Sequence, residues 1–237
     1  MNLQIVILAP AMPVWDEGAF CLPLKELCLE KGFQVTVLDT LSLFSSHSAI
    51  EVIPFLATKL TNSFQGPLVL VGFSMAGTLV QMLAVRLLNV QAVLSISAPG
   101  YPDTLLQQKL RYLLTLLEDG NLSEALEELD YFVQPVGAIK KRTLMEVSDD
   151  QKNIAIERMQ RGFRLLLDMD ARSEIIKYGG KFLSLVGEKS QLATVDNQTQ
   201  SHNLNHEYKI IPSAGIRLWK DNFAMTHAIV NKWIDGL

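Results

Sequence analysis

Leu70-Val71-Gly72-Phe73-Ser74-Met75-Ala76-Gly77 sets a serine between an apolar run and a helical pattern. Pro67 to Val71 reads as a buried strand, and Met75 to Leu88 reads as a helix. A serine at such a sharp strand-to-helix turn is presented at the carboxyl end of a sheet. The turn is tight, so small residues are needed two positions before and two positions after it. Gly72 and Ala76 meet that need, and Gly77 adds room where the helix packs back on the sheet. The helix N-terminus brings the Met75 backbone N–H near the Ser74 Oγ, where a developing oxyanion is stabilised. Alone, the pattern Gly-x-Ser-x-small occurs often by chance, and its plain reading is a turn with a capping serine. The strand before it and the unbroken helix after it favour the presented-serine geometry.

Outward from this turn, short β-branched runs alternate with helical patterns. Leu3–Leu8, Gln34–Leu38 and Ala92–Ser97 read as strands, as do Lys181–Val186 and Tyr208–Ile211. Helices are expected over about Glu17–Lys31, closed by Gly32, and from Ser48 to about Thr61, where Ser48 with Glu51 makes a capping box. Trp219–Ile234 closes the chain as one amphipathic helix. From Asp103 to about Met169 the periodicity is helical only, with Ser123 read as an N-cap and Ser148 with Gln151 as a second capping box. Strands alternating with helices imply a mostly parallel six-stranded sheet covered on both faces, an α/β fold. The expected division is a core of residues 1–100 and 170–237 with a helical insertion, 101–169, over one edge. Thr194–Glu207 is polar and reads as a surface loop, with room for a short surface helix.

On these residues the chain resembles the α/β-hydrolase family, and within it the small esterase and thioesterase types with a helical cap. The resemblance covers nearly the whole length. Asp39-Thr40-Leu41-Ser42-Leu43-Phe44-Ser45-Ser46 is similar to the family's Asp-Leu-Pro-Gly-x-Gly-x-Ser segment, and the helical stretch sits where the family inserts its cap. The hairpin that often begins the family fold is missing. The resemblance makes Ser74 the nucleophile and puts one oxyanion donor at Met75 N–H.

The rest of the family pattern is broken. The family's His-Gly pair after the first strand is replaced by Ala9-Pro10, so the second oxyanion donor falls to the N–H of Ala11 or Met12, Pro10 and Pro13 having none. The acid turn reads Gly187-Glu188-Lys189-Ser190-Gln191-Leu192, with Ser190 at the acid position. Glu188 is close by, and Asp103 stands at an alternative acid position used by some members. The histidine turn reads Pro212-Ser213-Ala214-Gly215-Ile216-Arg217-Leu218, with Ile216 at the histidine position. A serine hydroxyl is a poor nucleophile without a base in hydrogen-bond reach. Of the four histidines, His202 and His206 precede the last strand, and His227 lies inside the closing helix. His47 follows the second strand on the correct side of the sheet and reads as a loop or pre-cap residue, or as a stand-in base; Lys189, near the acid turn, is a further possible base.

Other side chains have ordinary readings. Asp16 and Glu17 cap the next helix, or line a pocket entrance. Glu124, Glu127, Glu128 and Asp130 read as a solvated helix face. The leucines of the insertion read as helix packing, or as an acyl pocket. Cys21 and Cys28, seven apart, read as two small buried residues rather than a disulfide, since seven helical positions span ~10 Å.

With 237 residues, 49% of them hydrophobic, the chain can bury a sizeable core. A formal charge of −4 without a basic stripe argues against nucleic acid as a partner. No apolar run of about 18 residues predicts a membrane span, and no basic-then-apolar start predicts a signal peptide, so the expected location is cytoplasmic. No metal spacing, phosphate loop or dinucleotide fingerprint is present, and no cofactor is expected. Two functions remain. One is a serine acyl hydrolase or acyl transferase on a small ester or thioester, with ordinary triad hydrolysis weak or absent. The other is a non-catalytic relative that binds a small ligand or a partner protein.

Overall fold

The computed structural model describes residues 3–139 and 147–237. Residues 140–146, part of the stretch expected to be helical, lie outside the described residues. Among the described residues six strands form one sheet: β1 (Gln4–Leu8), β2 (Gln34–Leu38), β3 (Leu68–Phe73), β4 (Val90–Ile96), β5 (Lys181–Gly187) and β6 (His206–Ile211). Their order is β2-β1-β3-β4-β5-β6, and every neighbouring pair is parallel. The chain leaves β1 for β2 on one side and returns to β3 on the other. The crevice between the ends of β1 and β3 is therefore the point where the winding reverses, the usual ligand position in such sheets.

Parallel strands need both faces covered, and alternation along each strand supplies two apolar faces. Val6, Leu8, Leu70 and Val93 face α2 (Ala49–Ser63), α3 (Met75–Leu83) and the helices that follow β4. Ile5, Ile7, Val69, Val71 and Leu94 face α1 (Leu22–Glu30) and the last helix. Between β4 and β5 come α4 (Thr104–Glu118), α5 (Leu122–Val133), α6 (Lys152–Asp168) and the short α7 (Arg172–Ile175). The leucine stripes of α4 and α5, with Met159 and Phe163 of α6, join the first of these cores.

Several local details differ from the sequence expectation. The first helix starts later, at Leu22, behind a tight turn over Ala19–Cys21, because Pro23 favours the first turn and not the interior of a helix. Ser48 is the N-cap of α2 but makes no reciprocal box; the Asp168 carboxylate caps Ala49 N–H at 2.7 Å. Helix α5 starts at Leu122, so its N-cap position is Asn121, two residues before Ser123, and the Asn121 side chain makes no cap. Ser148 precedes a single tight turn, Asp149–Gln151, before α6 and makes no side-chain cap. The closing helix is broken in two, α8 (Leu218–Asp221) and α9 (Phe223–Asp235), where the Asn222 side chain caps Met225 N–H. The polar stretch before β6 is not a surface loop throughout. Asn197, Gln198 and Thr199 are buried, and their side chains bond Leu192 O, Ser184 Oγ and Gln81 Oε1. A buried amide or hydroxyl is tolerable only when it is paired in this way.

Candidate functional site

Ser74 sits between β3 and α3 with φ 51° and ψ −121°, a backbone geometry that L-residues rarely hold. Neighbours over-determine it. Ser74 N–H donates to Ile96 O at 2.9 Å, and Gly77 N–H donates back to Ser74 O at 2.8 Å. A Cβ on Gly72 would stand 2.1 Å from Ala76 O, and one on Gly77 would stand 2.4 Å from the Ala98 Cβ. The tightness of the turn is the physical reason for the small residues at these positions.

The serine opens onto a cavity of about 600 Å³, in the range that takes a small organic ligand. Its floor is the carboxyl end of the sheet, with Ala11, Ser74, Ser97 and Ile216 in the lining. Its roof is the inner faces of α4, α5 and α6, through Leu106, Leu110, Leu126, Leu129, Phe163 and Leu166. Rings run along one side: Phe20 meets Phe73 edge-on at 5.1 Å, and Phe73 lies 6.2 Å from Trp219. Ala11 and Met75 both line the cavity, and neither N–H has an acceptor among the described residues.

The loop carrying Ala11 is held from α6. The Arg158 guanidinium makes two hydrogen bonds to the Asp39 carboxylate, at 2.9 and 2.8 Å, while its Nε donates to Met12 O at 3.2 Å. Burial pushes the Asp39 carboxyl up, but hydrogen bonds from Arg158 and Ser42 and the guanidinium charge outweigh it and hold the pKa below the usual value. Gly162 lets α6 approach closely, since a Cβ there would stand 2.6 Å from the Ala11 Cβ.

The other sequence candidates fall as follows. Ile216 lines the cavity. Ser190 is buried after β5 with its Oγ unpartnered, and it is not among the lining residues. Glu188 is exposed and accepts a hydrogen bond from Ser213 N–H at 2.8 Å. Asp103 caps α4 by accepting from Leu106 N–H, and Asp16 caps the Gly18–Phe20 turn. Neither carboxylate lines the cavity. His47, His202 and Lys189 are exposed. His206 is buried at the amino end of β6 against Phe182, and His227 stacks on Phe223 at 5.2 Å. None of the four histidines lines the cavity. Cys21 and Cys28 are free and buried, and burial pushes both thiols up to about 12.

Asp130 is a residue the sequence reading misplaced. It is buried, lines the cavity, and accepts from Arg217 Nη2 at 2.7 Å and Gln134 Nε2 at 2.9 Å. The signal was present. Asp130 is four residues after Leu126 and three before Val133, so it shares their apolar face rather than that of Glu124. Among the described residues no group of three or more His, Cys, Asp or Glu is placed to hold a metal, and no helix is long and apolar enough to cross a membrane.

No family model and no curated protein matches the chain. Solved structures do. A bromoperoxidase from Bacillus anthracis superposes with a TM-score of 0.76 at 14% identity, covering 99% of this chain and 92% of its own. MGS-M2, an α/β hydrolase from a Medee basin deep-sea metagenome library, gives 0.75 at 12% identity, covering 99% and 90%. The chain has the α/β-hydrolase fold. An esterase from Exiguobacterium antarcticum adds a third match, with a TM-score of 0.70 at 13% identity over 98% of this chain and 92% of its own. Identities this low establish the α/β-hydrolase fold and leave activity to the site itself.

Proposed function

We propose that this α/β-hydrolase-fold protein binds a small apolar ester or thioester in the cavity above Ser74 and does not turn it over by an ordinary triad. The observation that carries this reading is the composition of the cavity wall. The resemblance puts a histidine at position 216, where Ile216 lines the same cavity as Ser74, and no imidazole stands among the described lining residues. Without a base the serine hydroxyl keeps its proton, and losing the histidine of a working triad costs on the order of 10⁶ in turnover. The apolar roof and the free N–H groups of Ala11 and Met75 support an acyl group with its carbonyl oxygen over the floor.

The test is a fluorophosphonate probe together with turnover of short p-nitrophenyl esters, on the wild type and Ser74→Ala. Absent or trace labelling, lost in the variant, is expected. Fast labelling with ester turnover, both abolished in Ser74→Ala, overturns the reading. It would establish the second one, a serine acyl hydrolase or transferase, which the strained φ of Ser74 favours.

A further inference from the structure

We propose that the cavity takes an apolar chain that ends in an anionic group, a carboxylate or a phosphate, held at the mouth by Arg217 and Lys220. The inference rests on the reading of the cavity as an acyl-ligand site and specifies the charge of its ligand. Three charged residues stand in the described lining: Asp130, Arg217 and Lys220. The carboxylate is already satisfied. One Asp130 oxygen accepts from Arg217 and the other from Gln134, and the residue is buried. A cationic ligand would have to displace those donors.

The two cations are in the opposite state. The Arg217 side chain is 41% exposed and uses only Nη2 on Asp130, which leaves Nε and Nη1 without an acceptor among the described residues. Its anchoring by a buried carboxylate orients the remaining donors in advance, and a planar guanidinium fork suits carboxylate and phosphate oxygens. Lys220 is exposed and makes no ion pair among the described residues. It lies three positions after Arg217, inside α8, and both residues line the cavity. Between them Trp219 lines the cavity, its buried Nε1 without an acceptor. Behind this mouth the roof is leucine and phenylalanine, so a ligand anion stays at the rim in water while its chain enters the cavity. The pair Arg217 and Lys220 against one Asp130 leaves a charge of +1 on the rim.

Isothermal titration calorimetry on the full chain tests this, with decanoate, decyl phosphate, decanol, methyl decanoate and decyltrimethylammonium as ligands. The anions are expected to bind at least about tenfold more tightly than decanol, with the preference shrinking at about 0.5 M salt. Tighter decanoate identifies the carboxylate source, and tighter decyl phosphate the phosphate source. In Lys220→Gln the preference is expected to fall several-fold, and in Asp130→Asn with Arg217→Gln, a pair change that leaves no buried charge unpaired, it is expected to fall further. Lys220 is exposed, so its variant folds whether or not the double variant does. Equal binding of decanol and the anions, or a preference that survives both variants, overturns the inference while leaving the acyl site standing. Preferred binding of the ammonium ligand overturns it as well. If neither decanol nor methyl decanoate nor any anion binds, the acyl-site reading itself falls.

Discussion

The Ile216 N–H donates to Val133 O at 3.0 Å, tying the turn after β6 to the last residue of α5. The other side of the same residue is fixed too, because Ser97 Oγ donates to Ile216 O at 2.7 Å. Around this pair, Val136 N–H reaches Lys189 O, and Gln191 Nε2 donates to Tyr131 O and Gln134 O. A Cβ on Gly215 would meet Gln134 and Pro135 backbone at 2.7 Å. The end of α5 is thus bonded to both turns where the α/β-hydrolase resemblance puts acid and base. The backbone at 216 is held in place beside the cavity, where the Ile216 side chain carries no group that accepts a proton.

Restoration follows from that rigidity. Ile216→His with Ser190→Asp is expected to raise p-nitrophenyl ester turnover at least about tenfold over the wild type, with fluorophosphonate labelling that disappears on adding Ser74→Ala. Ser190→Asp alone is expected to lower the denaturant midpoint, since it adds a carboxylate at a buried site. A double variant that folds, binds ligand and shows no gain would mean that positions 190 and 216 are not the vacated ones.

Strain at Ser74 has a measurable consequence for stability. A non-glycine residue at φ 51° and ψ −121° costs on the order of 1–3 kcal/mol. Glycine relieves it but gives up some of the gain through unfolded-state entropy. Ser74→Gly is therefore expected to stabilise the protein by about 1 kcal/mol in urea unfolding. Gly72→Ala runs the other way, since its Cβ meets backbone at 2.1 Å, and a loss of about 3 kcal/mol is expected. Destabilisation by Ser74→Gly would show that the turn is not strained.

What could be read in advance was local. The turn at Ser74 follows from the spacing of Gly72 and Ala76, and the six parallel strands follow from short β-branched runs separated by helices. What could not be read joins residues far apart in the chain. Asp168 caps α2 from 119 positions away, and Arg217 reaches Asp130 across 87. Thr199 bonds Gln81 across 118, which is why a polar stretch that looked like surface loop is buried. Local propensity cannot encode such pairings, because the partner supplies the hydrogen bond that the local sequence lacks. The break at Asn222 is intermediate: asparagine is a good cap, but an amphipathic pattern running through it hides the cap.

Arg158 links α6 to the loop that carries Ala11, so its loss should be felt in both stability and ligand binding. The pair with Asp39 is largely buried, its side chains 11% and 13% exposed. Arg158→Gln leaves that carboxylate without its guanidinium, and a loss of about 2–4 kcal/mol is expected. Asp39→Asn with Arg158→Gln should recover part of it. If Arg158 positions the Ala11 loop, ligand affinity falls in the single variant even at temperatures where it is fully folded. Unchanged affinity with reduced stability would confine Arg158 to the fold.

His206 makes stability depend on pH. Its ring is buried between Tyr178 and Phe182, with centroids 6.0 and 5.3 Å away, and burial holds its pKa below the ordinary value. The folded protein therefore binds this proton less readily than the unfolded chain does. Between the two pKa values the unfolded state carries more protons, so stability rises with pH there. The His206 contribution is fully present above about pH 6.5, the unfolded value, and is lost as pH falls toward the lower folded one. Urea unfolding from pH 7.5 down to 5 should show a fall in midpoint that His206→Phe removes, since phenylalanine carries no proton into that site. A midpoint that declines equally in both proteins over this window would assign the acid sensitivity elsewhere.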